Sequence, residues 1–176
     1  PITLDGSGAD VAGAADPLTC EWDLDNNGTF ETVGEDPVFD PEALGFSGNQ
    51  TRTVSLRVTD GDGGQAIATT TVEILGVGSV EIGGVLHIVG SDQSDIVIIT
   101  KVNNNIKVVA TFQDNNPVSF SDASITEIQV RMRGGHDIVV TTPNVTKPMT
   151  IEGGSGNDLL TGGGGDDLID GGAGND

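Results

Sequence analysis

The chain has 176 residues, room for one or two domains of ordinary size. It carries 27 acidic and 7 basic residues, a formal charge of −20, and the basic ones (Arg52, Arg57, Lys101, Lys107, Arg131, Arg133, Lys147) are scattered without forming a stripe. That balance argues against nucleic acid and anionic membranes as partners and favours cations, and no apolar run approaches the roughly 18 residues of a membrane-spanning helix.

Nineteen of the acids are Asp and eight are Glu. The skew matters because Asp is short, tolerates turns and sets a hard-cation ligand close to the backbone. With 27 Gly, no Tyr, one Trp and recurrent Val, Ile and Thr clusters, the composition predicts an all-β fold with many turns. Cys20 is alone, which rules out an intrachain disulfide, and it reads as a small buried hydrophobe. A chain opening on Pro1 with no signal-like stretch reads as a mature or excised fragment.

Along the first segment, short alternating stretches are separated by turn clusters. Thr51–Asp60 places Val54, Leu56 and Val58 on one face, and after Gly61–Gly64 the alternation resumes over Gln65–Leu75. The pair predicts a β-hairpin. Upstream, Asp23, Asp25, Asn27, Gly28, Thr29 and Glu31 follow the first half of an EF-hand-like loop, with acids at alternate positions and a Gly for the sharp turn. In that reading Thr29 adds its carbonyl and Glu31 binds directly or through water. The twelfth position is Gly34, where an EF-hand carries a bidentate Glu. Two readings stay open: a calcium loop, or an Asx-rich turn whose side chains cap their own backbone. Asp60-Gly-Asp62 needs only a tight turn.

The stretches LDGSGAD, DPLTCEWDLDNNGTFE, PVFD and TRTVSLRVTDGDGGQAIATTTVEI together resemble a PKD domain, an immunoglobulin-like β-sandwich of extracellular proteins. The resemblance rests on Trp22-Asp23 and on Val58–Gly61 and covers residues 1–76. It implies that Trp22 is the core aromatic between two sheets.

Residues 77–152 change character. Val85–Val89, Ile96–Thr100, Ile106–Thr111, Val118–Phe120, Ile125–Val130 and Ile138–Thr141 are short apolar runs between polar turns. Two of them follow a Gly- or Ser-rich turn ending in Asp, at Asp95 and Asp137. Asp95 to Asp137 is 42 residues and Asp137 to Asp158 is 21. A repeat of about 20 residues predicts a degenerate β-solenoid or rolled sheet. His87 and His136 are isolated and read as structural or exposed.

Residues 153–176 hold GGSGNDLLT, GGGGDDLID and GGAGND, tandem copies of G-G-x-G-x-D-x-U-x in which U is aliphatic. Glycines permit positive φ and let carbonyls converge, while Asp offers a full charge to a cation that takes oxygen ligands at about 2.3–2.6 Å. Leu160 and Ile169 are expected to point into a narrow core. Two nonapeptides make one coil, so Asp158 and Asp176, 18 residues apart, are expected to flank one ion.

The pattern resembles the calcium-binding nonapeptide repeats of the repeats-in-toxin family, which form a parallel β-roll. By that resemblance the ion takes the carbonyls of Gly153 and Ser155 with the Asp158 carboxylate. The next coil adds the carbonyls of Gly172 and Gly174 with the Asp176 carboxylate. Asp167 faces the other side, where its backward partner near Met149 lies in a segment without Asp.

No catalytic constellation is present: G-x-S-x-G, H-E-x-x-H and a phosphate loop are all missing. The expectation is a non-catalytic, extracellular calcium-binding structural module of a bacterial surface, matrix, adhesin or filament protein. It would be exported unfolded, folded by calcium and able to stack end to end on further copies or other surface proteins. The alternative is an accessory region of a secreted hydrolase.

Overall fold

A computed structural model of the chain describes residues 1–8, 17–41, 43–46 and 48–176; Ala9 and Asp10 of the opening LDGSGAD stretch lie outside them. The described residues are all-β apart from a 3-10 turn at Thr111–Gln113 and form two compact units, Pro1–Gly76 and Val77–Asp176.

In the first unit, strands β1 (Ile2–Thr3), β2 (Thr19–Asp23), β3 (Thr32–Val33), β4 (Val38–Phe39), β5 (Gln50–Thr59) and β6 (Gln65–Ile74) make two antiparallel sheets. One pairs β1 with β4, and the other has the order β3-β2-β5-β6. The alternation read in Thr51–Asp60 and Gln65–Leu75 becomes the β5–β6 hairpin, in register from Gln50↔Ile74 to Thr59↔Gln65. Trp22 is buried with Leu4, Cys20, Leu24, Phe39, Val54, Leu56 and Ile74, and its Nε1 donates to the Gly34 carbonyl at 2.9 Å. Burial pushes the Cys20 thiol up, and the nearby Glu35 charge adds to the effect, which holds the sulfur in the thiol form.

The second unit contains β7 (Gly78–Ile82), β8 (Val85–Val89), β9 (Ile96–Val102), β10 (Asn105–Ala110), β11 (Val118–Ser121), β12 (Glu127–Arg131), β13 (Ile138–Thr141), β14 (Met149–Glu152), β15 (Ser155–Gly156), β16 (Leu159–Thr161), β17 (Asp167–Asp170) and β18 (Ala173–Gly174). Its two larger sheets have the orders β17-β14-β12-β8-β7 and β11-β10-β9-β13-β16, and β15 pairs with β18. Apart from the antiparallel β9–β10–β11 meander and the separate β15–β18 pair, the chain from β8 onward passes from one sheet to the other, and successive passes within a sheet are parallel: β8, β12, β14, β17 in the first and β9, β13, β16 in the second. We call each such pass a winding. Residues 77–152 and the glycine-rich repeats thus contribute strands to the same two sheets.

Period-2 alternation sends every second residue inward. In the first sheet Leu86, Ile128 and Met149 form one inward column, and Ile88, Val130 and Ile151 form another. Val97, Val139 and the half-buried Leu160 form the facing column. Each fully buried aliphatic side chain contributes roughly 1.5–3 kcal/mol. Ile169 continues the Ile151 column in register but is 44% exposed, because no strand pairs beyond β17 among the described residues. The expected inward direction is met; the expected enclosure is not.

Candidate metal centre

The turns after β8, β12, β14 and β17 each end in an Asp, and the parallel register stacks these turns. Asp95, Asp137, Asp158 and Asp176 fall into one column with spacings of 42, 21 and 18 residues. The last three reach back to the preceding winding. Asp137 Oδ1 accepts the N–H of Asp95 at 2.7 Å, Asp158 Oδ1 that of Asp137 at 2.8 Å, and Asp176 Oδ1 that of Asp158 at 2.9 Å. The residue just before each Asp makes the reverse ladder. Ser94 Oγ accepts the N–H of His136, His136 Nδ1 that of Asn157, and Asn157 Oδ1 that of Asn175. His136 therefore serves as a backbone acceptor in the place where the repeats carry Asn.

These bonds use one oxygen of each carboxylate. Asp137 is 1% exposed and Asp158 5% exposed, yet Oδ2 of each is buried and finds no hydrogen-bond partner among the described residues. A buried carboxylate oxygen without a donor is costly, on the order of a few kcal/mol. Burial is the largest cause that pushes the Asp137 carboxyl up to about 6, with the Asp158 and Asp95 charges adding to it. The Asp95 N–H and the neighbouring His136 pull the other way.

The glycines explain how such a column is packed. A Cβ on Gly153 would stand 2.6 Å from Asp158 Oδ2 and 2.5 Å from the Gly171 carbonyl oxygen, so the second carboxylate oxygen and a carbonyl of the next winding share the space that a side chain would fill. A Cβ on Gly174 would overlap the Gly156 carbonyl oxygen, and one on Gly172 would overlap that of Gly154. Carbonyls of Gly154 and Gly156 therefore face the winding of Gly172 and Gly174, all four glycines having positive φ. The Ser155 carbonyl, assigned to this ion by resemblance, instead accepts the N–H of Gly135 in the preceding winding at 2.9 Å. Alternation along an extended turn is the physical reason: neighbouring carbonyls point to opposite sides.

Asp167 stands on the other side, beside Gly162. Its register partner is Met149, and one of its oxygens is buried without a partner among the described residues. Carbonyls of Pro143, Val145 and Lys147 face Gly164, Gly163 and Gly165 there, so the opposing segment supplies carbonyls and no carboxylate.

The loop Asp23–Glu31 gathers its polar groups differently. Asp23, 2% exposed, accepts the N–H of Asn27 on Oδ1 at 3.1 Å and that of Gly28 on Oδ2 at 2.8 Å. Asn27 Nδ2 donates to both Asp25 and Glu31, while Asn27 Oδ1 takes the N–H and hydroxyl of Thr29. The sequence-predicted residues converge, and their acceptors are met by donors from their own loop.

Among the described residues no group of three or more His, Cys, Asp or Glu side chains is gathered to hold a metal. The donor set of the column is of another kind, two carboxylates with backbone carbonyls, which suits a hard cation that takes oxygen ligands from the main chain. The sequence reading placed Asp158 and Asp176 together but used Asp95 and Asp137 only for spacing. Their signal was the turn ending in Asp directly before an apolar strand.

A model of the RTX calcium-binding nonapeptide repeat, in four copies, matches residues 150–176. No curated protein and no solved structure matches the chain. RTX nonapeptide repeats bind Ca2+.

Proposed function

We propose, from the premise that residues 150–176 are calcium-binding repeats, that this chain is a non-catalytic structural module of a secreted surface, matrix, adhesin or filament protein, and that its second unit is a β-roll locked by calcium. The observation that carries the reading is the unpartnered Asp158 Oδ2, buried beside the Gly171 carbonyl, with the Asp176 carboxylate bonded to the Asp158 amide. Asp158 and Asp176, with the carbonyls of Gly156 and Gly171, would hold the ion. Bound there, calcium supplies two positive charges that neutralise the stacked carboxylates and tie one winding to the next.

The chain's own residues prepare that role. Glycine at the turn positions opens room for carbonyls, and the two side-chain ladders hold successive turns in register. At −20 the separated chain repels itself, and glycine-rich turns have high entropy to lose, so the repeats are poor at folding without a cation. Low calcium before export and millimolar calcium outside would then separate an unfolded exported form from a folded extracellular one. The first unit, with Trp22 in its core, is read as a PKD-like sandwich that spaces the roll from its neighbours.

Circular dichroism of the full chain during calcium titration tests the reading. The expected result is a gain of β signal that excess chelator reverses; no change between micromolar and ten-millimolar calcium would overturn it. Electron microscopy with and without calcium tests end-to-end assembly.

A further inference from the structure

We propose a second cation site one winding earlier, between the turn Met132–Asp137 and the turn Gly153–Asp158, held by Asp137 and Asp158. It rests on the reading of the Asp158–Asp176 pair as a cation site, and one of its two turns, Met132–Asp137, lies outside the nonapeptide match.

The two interfaces are built alike. At the later one, the Asp176 carboxylate takes the Asp158 N–H, the carbonyls of Gly154 and Gly156 face Gly172 and Gly174, and Asp158 Oδ2 is buried without a partner among the described residues. At the earlier one, the Asp158 carboxylate takes the Asp137 N–H, the carbonyls of Arg133 and Gly135 face Gly154 and Gly156, and Asp137 Oδ2 is buried without a partner among the described residues. The main chain follows the same path in both. Arg133 has φ 63, where Gly154 has 95 and Gly172 has 89, and Gly135 has φ 120, where Gly156 has 146 and Gly174 has 151. Arg133 holds a conformation that non-glycine residues seldom adopt.

Met132 occupies the place of the first repeat glycine. It is fully buried, and its Cε would lie 2.9 Å from a Cβ on Gly90 in the preceding winding.

The winding before that shows what a turn without an ion looks like. Asp95 is 4% exposed and fully bonded: Oδ2 accepts the N–H and the hydroxyl of Ser91, both at 2.8 Å, and Oδ1 accepts the Thr111 hydroxyl at 2.8 Å. Hydroxyls do for Asp95 what no group among the described residues does for the second oxygen of Asp137. The cation column therefore starts at Asp137, with Asp158 shared between two ions.

Calcium bound per full-length chain, measured by equilibrium dialysis on wild type and four variants, decides the matter. Asn keeps the Oδ1 acceptor of each ladder bond and removes the charge. Relative to wild type, Asp137→Asn and Asp176→Asn are each expected to lose one ion, Asp158→Asn to lose two, and Asp95→Asn to lose none. Wild-type stoichiometry in Asp137→Asn with a loss in Asp176→Asn would overturn this site alone, and a loss in Asp95→Asn would overturn its placement. A wild type that binds no calcium would overturn the proposed function as well. If Asp137→Asn fails to fold, Asp158→Asn against Asp176→Asn decides: a difference of one ion supports the shared site and equal losses overturn it.

Discussion

The loop Asp23–Glu31 and the column Asp137–Asp158–Asp176 carry the same kind of residues and meet their charge in opposite ways. In the loop, a tight curl through Asn26 at φ 58 and Gly28 at φ 89 turns backbone N–H groups onto both oxygens of Asp23. In the column, each turn is spread across a strand-to-strand crossing, and only one N–H reaches each aspartate, from the winding before. The second oxygen of Asp137 and of Asp158 is then left inside the protein. An acidic motif asks for a cation only to the extent that its own turn fails to supply donors, and donor count is a property of backbone curvature that residue identity alone does not state.

The same substitution at a glycine of each region gives the largest contrast. Gly156→Ala puts a Cβ onto the Gly135 carbonyl oxygen at a φ of 146, and the expected loss is at least about 3 kcal/mol. Gly28→Ala meets nothing within 4 Å, so only its positive φ is charged against it, about 1–2 kcal/mol. Urea denaturation followed by circular dichroism and by Trp22 fluorescence separates the two, since Trp22 is the chain's one tryptophan and lies in the first unit. Equal losses would break the comparison.

Calcium at a hundredfold excess over its dissociation constant is expected to stabilise the second unit by about 2.7 kcal/mol per site. The fluorescence transition of Trp22, next to Asp23, is expected to stay where it is. A calcium-dependent shift of that transition would show that the loop binds too and would erase the difference between the regions.

Acidity gives a smaller effect, confined to the column. The folded Asp137 carboxyl holds its proton up to about 6, against 3.8 for the ordinary group, so its contribution to calcium-free stability is complete below pH 3.8 and is lost as pH rises through 6. Thermal unfolding without calcium should therefore show stability falling as pH rises across that window, flattened in Asp137→Asn. With calcium the slope reverses, because the ion competes with the proton and binds less well at pH 5 than at pH 7. Smallest of all, Asn27→Ala, whose lost bonds are solvent-exposed, should lower first-unit stability by about 1 kcal/mol in total and leave bound calcium unchanged in dialysis.

Much of the fold could be read from alternation, because a strand with one buried face writes its period into the chain. Val85–Val89 and Ile138–Thr141 coincide with β8 and β13, and the β5–β6 hairpin follows from two alternating runs around a glycine turn. Gly78–Ile82 and Met149–Glu152 were not anticipated: the first is half-exposed, and the second sits between a proline-containing loop and the glycines, where its two inward residues are too few to make a pattern. Within the site, residue types at fixed spacing paired Asp158 with Asp176, which the Asp158 N–H bond joins. Spacing could not say which carbonyls face which winding, since that depends on φ at Arg133, Gly154 and Gly156. Nor could it fully tell Asp95 from Asp137, because besides Ser91 four residues away the difference lies in Thr111, 16 residues from Asp95 in sequence and brought to it by the β9–β10 hairpin.

The two larger sheets of the second unit begin in strands that run against the rest. β7 lies antiparallel along β8, and β10 lies antiparallel along β9 with β11 beyond it. Both edges through which an earlier winding could have joined are thus already taken, while β16 and β17 present their outer edges at the opposite end. The stack has a floor and a direction. A chain emerging from its N-terminal side can complete the hydroxyl-closed Asp95 turn without any ion and then lay each later turn on a finished one. Calcium availability would act on a folding front that moves one way, and a missing ion would halt the front at the winding where it is missing, leaving the floor beneath it intact.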